Sequence, residues 1–515
     1  ARFLFDGLPD SCYNKTYSLE VSLFLYTYHR GRGKNGMSYF SQKLREHMES
    51  SGLSVYQLAR LSGVERTSVH RFAGGTRLPS DEVLRQLSRA LRLSIQEEQE
   101  LQNLLHIERV GPQTYQSRVH VRRLLERIRD TQRMELQVPP EFEATLGGRE
   151  FPAGHMHALR SPREIDECIS AMLRHMVGRG EPFFIYSNDV HKAELLYSLL
   201  RQPAARLCSG VCQFVQLVKP GKLVENLKTL ERLLPYMLCL PVPYEVMYDY
   251  TGDHSTRYPG QLFPLYLVMG DLMLHMAADH TGGMLVCNGQ AAQLVVQELE
   301  RMRAGSRCLF RSQHLTEEVA TAYQDTLSRQ HTPLCFYESW PCIGAMMDEE
   351  MLETMLQGQI LEISLGILHS IQSWSNDHVH LFGMERMDLF VTQGIFPGFI
   401  GRWLGPFPPA LRRRAMENFY RYVQRDSIRW HMLDPARLPM VPGLNIELYQ
   451  GGEMILTSQS VEHGFSMMQI DEQEIMDAFA DFIYSLTEEP LQVYSREETL
   501  QRLRAFIDSA PWPAE

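Results

Sequence analysis

The chain has 515 residues, 44% of them hydrophobic and 22% charged, values that exclude collagenous, fibrous and wholly disordered proteins. No run of about 18 or more apolar residues occurs; the nearest approach, Leu262–Ala278, is broken by Asp271 and His275, so no membrane partner is expected. The net charge of −11 hides an asymmetry, because Met37–Asp130 carries 15 basic against 11 acidic residues and residues 1–36 carry 5 against 3. A basic N-terminal block on an acidic body is the layout of a nucleic-acid-binding head on a self-repelling trunk. The nine cysteines are scattered and form no CxxC pair, and no export signal is legible. Both features point to reduced thiols in a cytoplasm.

Residues 1–36 contain no methionine, and Met37 stands directly before the first convincing helix. Residues 1–36 are therefore expected to be a non-native translated leader, with Met37 the native start. An intact mass of native protein that includes Ala1–Gly36 would contradict this. Gly31-x-Gly33-x-x-Gly36 matches the dinucleotide fingerprint, but that motif needs a βαβ unit and an acidic residue about 20 positions on. Helix after helix follows instead. The motif is a decoy, and no cofactor is expected.

From Tyr39 the spacing is helical, with Phe40, Leu44 and Met48 facing inward and Ser51-Gly52 closing the segment. Ser54 is the expected N-cap of Val55–Ser62, whose Leu58, Ala59 and Leu61 are expected inside. Gly63 supplies a left-handed turn residue. A third short helix, Glu65–Phe72, turns Val69 and Phe72 inward and leaves Arg66, Thr67, His70 and Arg71 outside. Gly74-Gly75 stops it, and Pro79-Ser80-Asp81 starts a fourth, to about Leu91.

The run Leu53-Ser54-Val55-Tyr56-Gln57-Leu58-Ala59-Arg60-Leu61-Ser62-Gly63-Val64 resembles helix 2 and the turn of lambda-repressor-like (Xre family) DNA-binding domains. The resemblance continues through Thr67-Ser68-Val69-His70-Arg71-Phe72, then Gly75, Pro79 and Leu87-Ala90-Leu91, over about 60 residues. It implies double-stranded DNA as the partner, with the third helix in the major groove and its N-terminal residues on base edges. By position, Arg66, Thr67, His70 and Arg71 resemble the family's base readers, and Lys43 and Arg77 its phosphate clamps. Ala73-Gly74 stands where a charged or amide residue usually follows the recognition helix, a departure that bears on fine contacts and not on the fold.

Ile95–Arg109 reads as another helix, with Leu101, Leu104 and Leu105 on one side. Val119–Met134 is a basic amphipathic helix striped by Val121, Leu124, Leu125 and Ile128. The stripe serves either packing on the body or dimerisation; periodicity alone does not name its partner. Val138–His157, rich in proline and glycine, has the composition of an interdomain linker. The expected organisation is a leader at 1–36, a helix-turn-helix domain at 37–94, a helical connector at 95–137, a linker at 138–158, and α/β halves at 159–335 and 336–515.

Beyond about 158 strands alternate with helices: helix Ile165–Val177, strand Phe183–Tyr186, helix His191–Leu200, strand Gln213–Val218 and helix Leu223–Leu234. One pattern recurs. Leu265–Leu274 with Gly270, then Gly282-Gly283, Met284–Cys287 and a helix from Ala291, is echoed by Ile446–Leu456 with Gly451-Gly452, Gly464, Phe465–Ile470 and a helix from Gln473. The period is about 180 residues, and the echo is either an internal duplication or the chance return of a common unit. The expected fold is thus multidomain, an all-α helix-turn-helix head on an α/β or α+β body.

The overall layout resembles large Xre-type regulators of Gram-positive bacteria, and the middle of the body is similar in pattern to phospholipase-D-like sensor domains of transcription factors. The catalytic His-x-Lys of that superfamily is absent, since none of the 19 histidines has a lysine two positions on. No GxSxG elbow, phosphate-binding GxxxxGK[ST] loop or HExxH helix occurs either. Asp377-His378-x-His380, His155-x-His157 and Cys208-x-x-x-Cys212 hold metal-ligating side chains, but each lacks a second pair of ligands, so no metal is expected. The Tyr244–Tyr250 and Met346–Met355 clusters are expected in the core. The leading expectation is a cytoplasmic, non-enzymatic transcription regulator, homodimeric, with a signal-sensing body. An enzyme or a protein-interaction adaptor tethered to DNA by the head is the alternative.

Overall fold

The computed structural model describes residues 38–133, 151–218, 222–240, 242–251, 263–314, 332–373, 378–396, 404–425, 429–438, 440–460, 464–488 and 491–513. The expected leader, most of the expected linker, and Asp377 lie outside them. The chain forms two compact units that divide between Gln116 and Ser117.

The first unit is helical: α1 (Tyr39–Ser50), α2 (Val55–Ser62), α3 (Arg66–Gly74), α4 (Asp81–Leu91), α5 (Ile95–Val110) and the start of α6 (Pro112–Arg133). Serine side chains cap α1, α2, α4 and α5 from Ser38, Ser54, Ser80 and Ser94. Ser54–Gln57 and Ser94–Glu97 form reciprocal capping boxes that satisfy two otherwise orphaned amides each. Phe40, Leu44, Leu58, Val69, Phe72, Leu84, Leu87 and Leu91 share one core with Leu101, Leu104 and Leu105 of α5. The head therefore runs past the expected boundary at 94, because α5 completes its core. Leu61, expected inside, is 61% exposed. The inward arc of α2 is buried Leu58 and Ala59 flanked by half-buried Val55 and Ser62, and Leu61 falls off it at the helical angle.

In the second unit, α6 from Ser117 onward packs on the body. Val121, Leu124, Leu125 and Ile128 lie in the body's main core. Arg118 grips Asp481 bidentately at 2.8 and 2.9 Å, His120 bonds Glu231 and Arg122 bonds Gln492. The stripe that the sequence left open between body and partner copy is used up within the chain.

The body is built on a 14-stranded sheet. Its first seven strands are β1 (Met156–Leu159), β2 (Phe183–Ser187), β3 (Cys208–Val218), β4 (Tyr244–Thr251), β5 (Leu265–Met269), β6 (Leu272–Met276) and β7 (Gly283–Cys287). The rest are β8 (Arg307–His314), β9 (Pro333–Glu338), β10 (Val379–Phe382), β11 (Trp430–Met432), β12 (Leu444–Tyr449), β13 (Glu453–Ser460) and β14 (Gly464–Ile470). The spatial order is β1-β7-β6-β5-β2-β3-β4 followed by β8-β14-β13-β12-β9-β10-β11. The second group of seven repeats the first strand for strand. In each, three parallel strands (β2-β3-β4, β9-β10-β11) adjoin an antiparallel meander (β5-β6-β7, β12-β13-β14). The recurrence seen in sequence is thus a repeat of topology. Its second unit opens with β8 at Arg307, so the expected division at 335/336 cuts through β9. β8 has no clean alternation to announce it, and β1, which falls in the expected linker, is short and mostly exposed.

β8 runs antiparallel to β4, which reverses the strand direction of the second repeat. Parallel crossovers are right-handed almost without exception, so reversal moves their helices to the other face. In the first repeat α7 (Pro162–Arg179), α8 (Ala193–Leu200) and α9 (Leu223–Met237) join the main core, and α10 (Gly289–Gly305) covers the opposite face with Tyr186, Cys212 and Phe214. In the second repeat the faces exchange. There α16 (Gln473–Ser485) enters the main core. The opposite face is covered by α11 (Ile343–Met346), α12 (Glu349–Met355), α13 (Gly358–Ser373), α14 (Met387–Gln393), α15 (Pro409–Arg425) and α17 (Arg496–Ser509). Tyr244 and Tyr248 lie in the main core, and Met346, Met347 and Met351 in the opposite one, as expected of those clusters.

One tight joint holds this second layer. Gly394 ends α14 at φ +76°, and a Cβ there would stand 2.4 Å from the Phe407 carbonyl oxygen. Buried Arg412 donates to that oxygen at 2.8 Å and to the Val391 and Thr392 carbonyls at 3.1 and 2.9 Å. Gly394→Ala is therefore expected to destabilise the body by about 3 kcal/mol, from the left-handed backbone and the clash together. All five tryptophans lie beyond Ser117, so denaturation followed by tryptophan fluorescence reads the body alone; an unchanged midpoint would contradict the assignment.

Candidate nucleic-acid interface

The pair α2–α3 is joined by a tight turn. Gly63 sits at φ +73° and ψ +9°, a conformation that costs a residue with a Cβ roughly 1–2 kcal/mol. Ser62 Oγ donates to the Leu58 carbonyl at 2.7 Å and accepts from the Val64 amide at 3.3 Å, so the turn is held from both sides.

The far end of α3 is fastened to α1. Ser41 Oγ donates to the Phe72 carbonyl at 2.8 Å, and Arg45 Nε donates to the Ala73 carbonyl at 2.7 Å. The Thr76 amide reaches the Arg71 carbonyl at 3.1 Å across left-handed Gly75. Carbonyls that a helix end would leave open are thereby satisfied. Ala73 itself is buried, with its carbonyl held by Arg45 of α1.

The near end of α3 is left open. Unlike the serine-capped helices, it begins at Glu65 with no side-chain bond to its first-turn amides. Arg66, Thr67, His70 and Arg71 all stand exposed along it, and Arg77 is exposed just beyond. Arg60 of α2, not singled out by sequence, is exposed too. Among the described residues Arg60, Arg66, Arg71 and Arg77 form no ion pair; Arg66 lies 6.0 Å from the ring centroid of exposed Tyr56. Thr67 Oγ1 donates to Glu65 at 2.6 Å, placing one carboxylate among these cations.

The other predicted phosphate contact differs. Lys43 is half-buried, and its Nζ lies 3.0 Å from Glu100 and 3.9 Å from Glu46. Arg85 and Arg109 are likewise paired, with Glu82 and Asp81. The sequence missed Glu100 as a competitor for Lys43 because the contact joins α1 to α5, far apart in the chain.

Of the metal-ligating motifs, Cys208 and Cys212 lie on strand β3 and belong to opposite core faces, so helical spacing does not bring them together. His155 and His157 are exposed. His378 and His380 are buried side by side, with ring centroids 5.8 Å apart.

Residues 40–101 match the family model for a helix-turn-helix domain. That span runs from the first turn of α1 through α4 into the first part of α5. No curated protein matches the chain.

Gly63→Ala is expected to cost the head about 1 kcal/mol. Hydrogen exchange of the α2 and α3 amides in the full chain should speed up while the tryptophan-detected midpoint of the body stays put. A turn that tolerates the change without faster exchange would contradict the strain assigned to it.

Proposed function

We propose that the chain is a sequence-specific, DNA-binding transcription regulator of the lambda-repressor-like type, acting as a dimer through its helix-turn-helix head and carrying a body that senses a signal. The observation that carries this reading is the set of exposed, unpaired cations along α3 and just beyond it, Arg66, Arg71 and Arg77. In the head Lys43, Arg85 and Arg109 settle into ion pairs, whereas the exposed Arg60, Arg66, Arg71, Arg77, Arg89 and Arg92 form none among the described residues. Those left without partners along one helix are free for a polyanion. The uncapped first-turn amides add donors of the right sign for a phosphate.

In this reading Arg66, Thr67, His70 and Arg71 meet base edges, and Arg77 meets the backbone. An arginine bonds guanine bidentately, which supports discrimination of about 1–3 kcal/mol at one base pair. Two heads on a two-fold axis would take half-sites about one helical turn apart. Binding of a signal by the body would bias the head through a coupling of about 1–3 kcal/mol. Lys43 would reach a phosphate only by giving up Glu100, so it contributes less than Arg77.

The test is a footprint and a salt-titrated gel shift of the full chain on the DNA upstream of its own gene. Arg66→Ala is expected to weaken operator binding by about 1–3 kcal/mol and to relax preference at one base pair. Arg77→Ala is expected to weaken all sequences alike and to lower the salt slope by about 0.9. Lys43→Ala should lower the slope by less. Variants that behave identically would overturn the placement of α3 in the groove, and unspecific binding indifferent to Arg66 would overturn the regulator reading itself.

A further inference from the structure

Strand β9 ends on a polar group in apolar surroundings. Phe336 and Glu338 of β9 pair with His380 and Phe382 of β10, so these four side chains stand on one face of the sheet. That face is the core of the second repeat, with Phe336, Phe382, Trp430 and Met432 around it. Glu338 is 7% exposed and His380 fully buried, and Glu338 Oε2 lies 2.6 Å from His380 Nε2. The chain then loops back and places Cys342 beside them at the start of α11. The ligating atoms of Glu338, Cys342 and His380 all lie within 4.8 Å of one another.

Three features set this group apart from an ordinary buried pair. First, Glu338 is buried, and among the described residues its partner is His380, with no lysine or arginine paired to it. Of the other carboxylates buried in the sheet, Glu245 has both Arg303 and Arg311, and Glu447 accepts from Tyr449 Oη at 2.6 Å. A buried carboxyl without a cation is costly unless it is protonated or holds a metal. Second, Cys342 is buried at the N-terminal end of α11, and its sulfur stands with the carboxylate and the imidazole in one apolar pocket of the second core. Third, the His380 ring is fixed in place, stacked on Trp430 at 3.7 Å between centroids and 16° between planes, while its Nδ1 has no hydrogen-bond partner despite complete burial. The stacked ring holds Nε2, the nitrogen that would ligate the ion, toward Glu338.

We propose that Glu338, Cys342 and His380 form a divalent transition-metal site, with zinc the ion that fits best. One oxygen, one sulfur and one nitrogen are a donor set that zinc accepts in tetrahedral geometry. Zinc ligands at roughly 2.0–2.3 Å stand about 3.3–3.6 Å apart, so seating the ion requires the Glu338–His380 bond to open by less than about 1 Å. Glu447 faces the same side of the sheet from β12, opposite Phe336, and is held by Tyr449 Oη at 2.6 Å. Binding releases the thiol proton, and the ion would tie β9, β10 and the start of α11 together. The site does not depend on the DNA-binding reading.

The test uses the full chain, produced in zinc-supplemented medium and, separately, unfolded and refolded with zinc or cobalt(II). One equivalent of zinc per chain is expected after gel filtration. Cobalt(II) should give a thiolate charge-transfer band and quench tryptophan emission, because Trp430 lies against His380. Cys342→Ser should abolish the band, and Glu338→Gln should weaken cobalt(II) binding about tenfold or more. Trp430→Phe should retain the metal and lose most of the quenching. Wild-type protein that holds no stoichiometric metal by either route would overturn the proposal, whatever the variants do. So would metal retained unchanged in Cys342→Ser, or a cobalt(II) spectrum without a sulfur ligand.

Discussion

The antiparallel seam between β4 and β8 governs the body. Had the second repeat followed the first in parallel, its right-handed crossovers would have stacked their helices on the same face. One side of the sheet would have been covered and the other left bare. Because β8 opposes β4, and β14 opposes β8 in turn, the second repeat turns over. One continuous core then runs under α6 to α9 and α16, and a second core forms on the other face of the second repeat. The seam carries its own polar fastening: Arg311 of β8 donates to Glu245 of β4 at 3.1 Å, and Ser312 Oγ accepts from the Tyr244 amide at 2.9 Å.

The head follows a different economy. Its helices are short, and below about 12–15 residues a helix is marginal alone. Local caps and a shared core offset this. Four serine N-caps, two of them in capping boxes, fix where helices begin. Leucines and phenylalanines from all five helices fill one interior. Within this well-satisfied unit, α3 is braced at its C-terminus by Ser41 and Arg45 and open at its N-terminus. Along its exposed face α3 carries Arg66 and Arg71, which form no ion pair among the described residues.

Buried polar groups in the body show the same logic in reverse. Glu245 has two arginines, and Asp189 is met by His280 at 2.5 Å. Each is closed within the chain. Glu338 and His380 have only each other and a thiol, inside a wall of aromatic rings. A low dielectric penalises such a group unless something neutralises it, and that imbalance marks the site.

The sequence by itself determined the head: helix limits, serine caps, Gly63 and the exposed face of α3 all follow from contacts within a few residues of each other in the chain. It also determined most of the first repeat's helices and strands and the hairpin recurrence, because a core face imposes a period of 2 or 3.6 on local residues. Tertiary structure alone decided what depends on distant partners. Whether the α6 stripe meets the body, that Lys43 is held by Glu100, that the repeat starts at β8, and that Glu338 and Cys342 join His380 are all set by pairings across tens to hundreds of residues. No periodicity records them. The sequence lists the histidines of β10, but only the parallel register of β9 with β10 brings a carboxylate and a thiol to them.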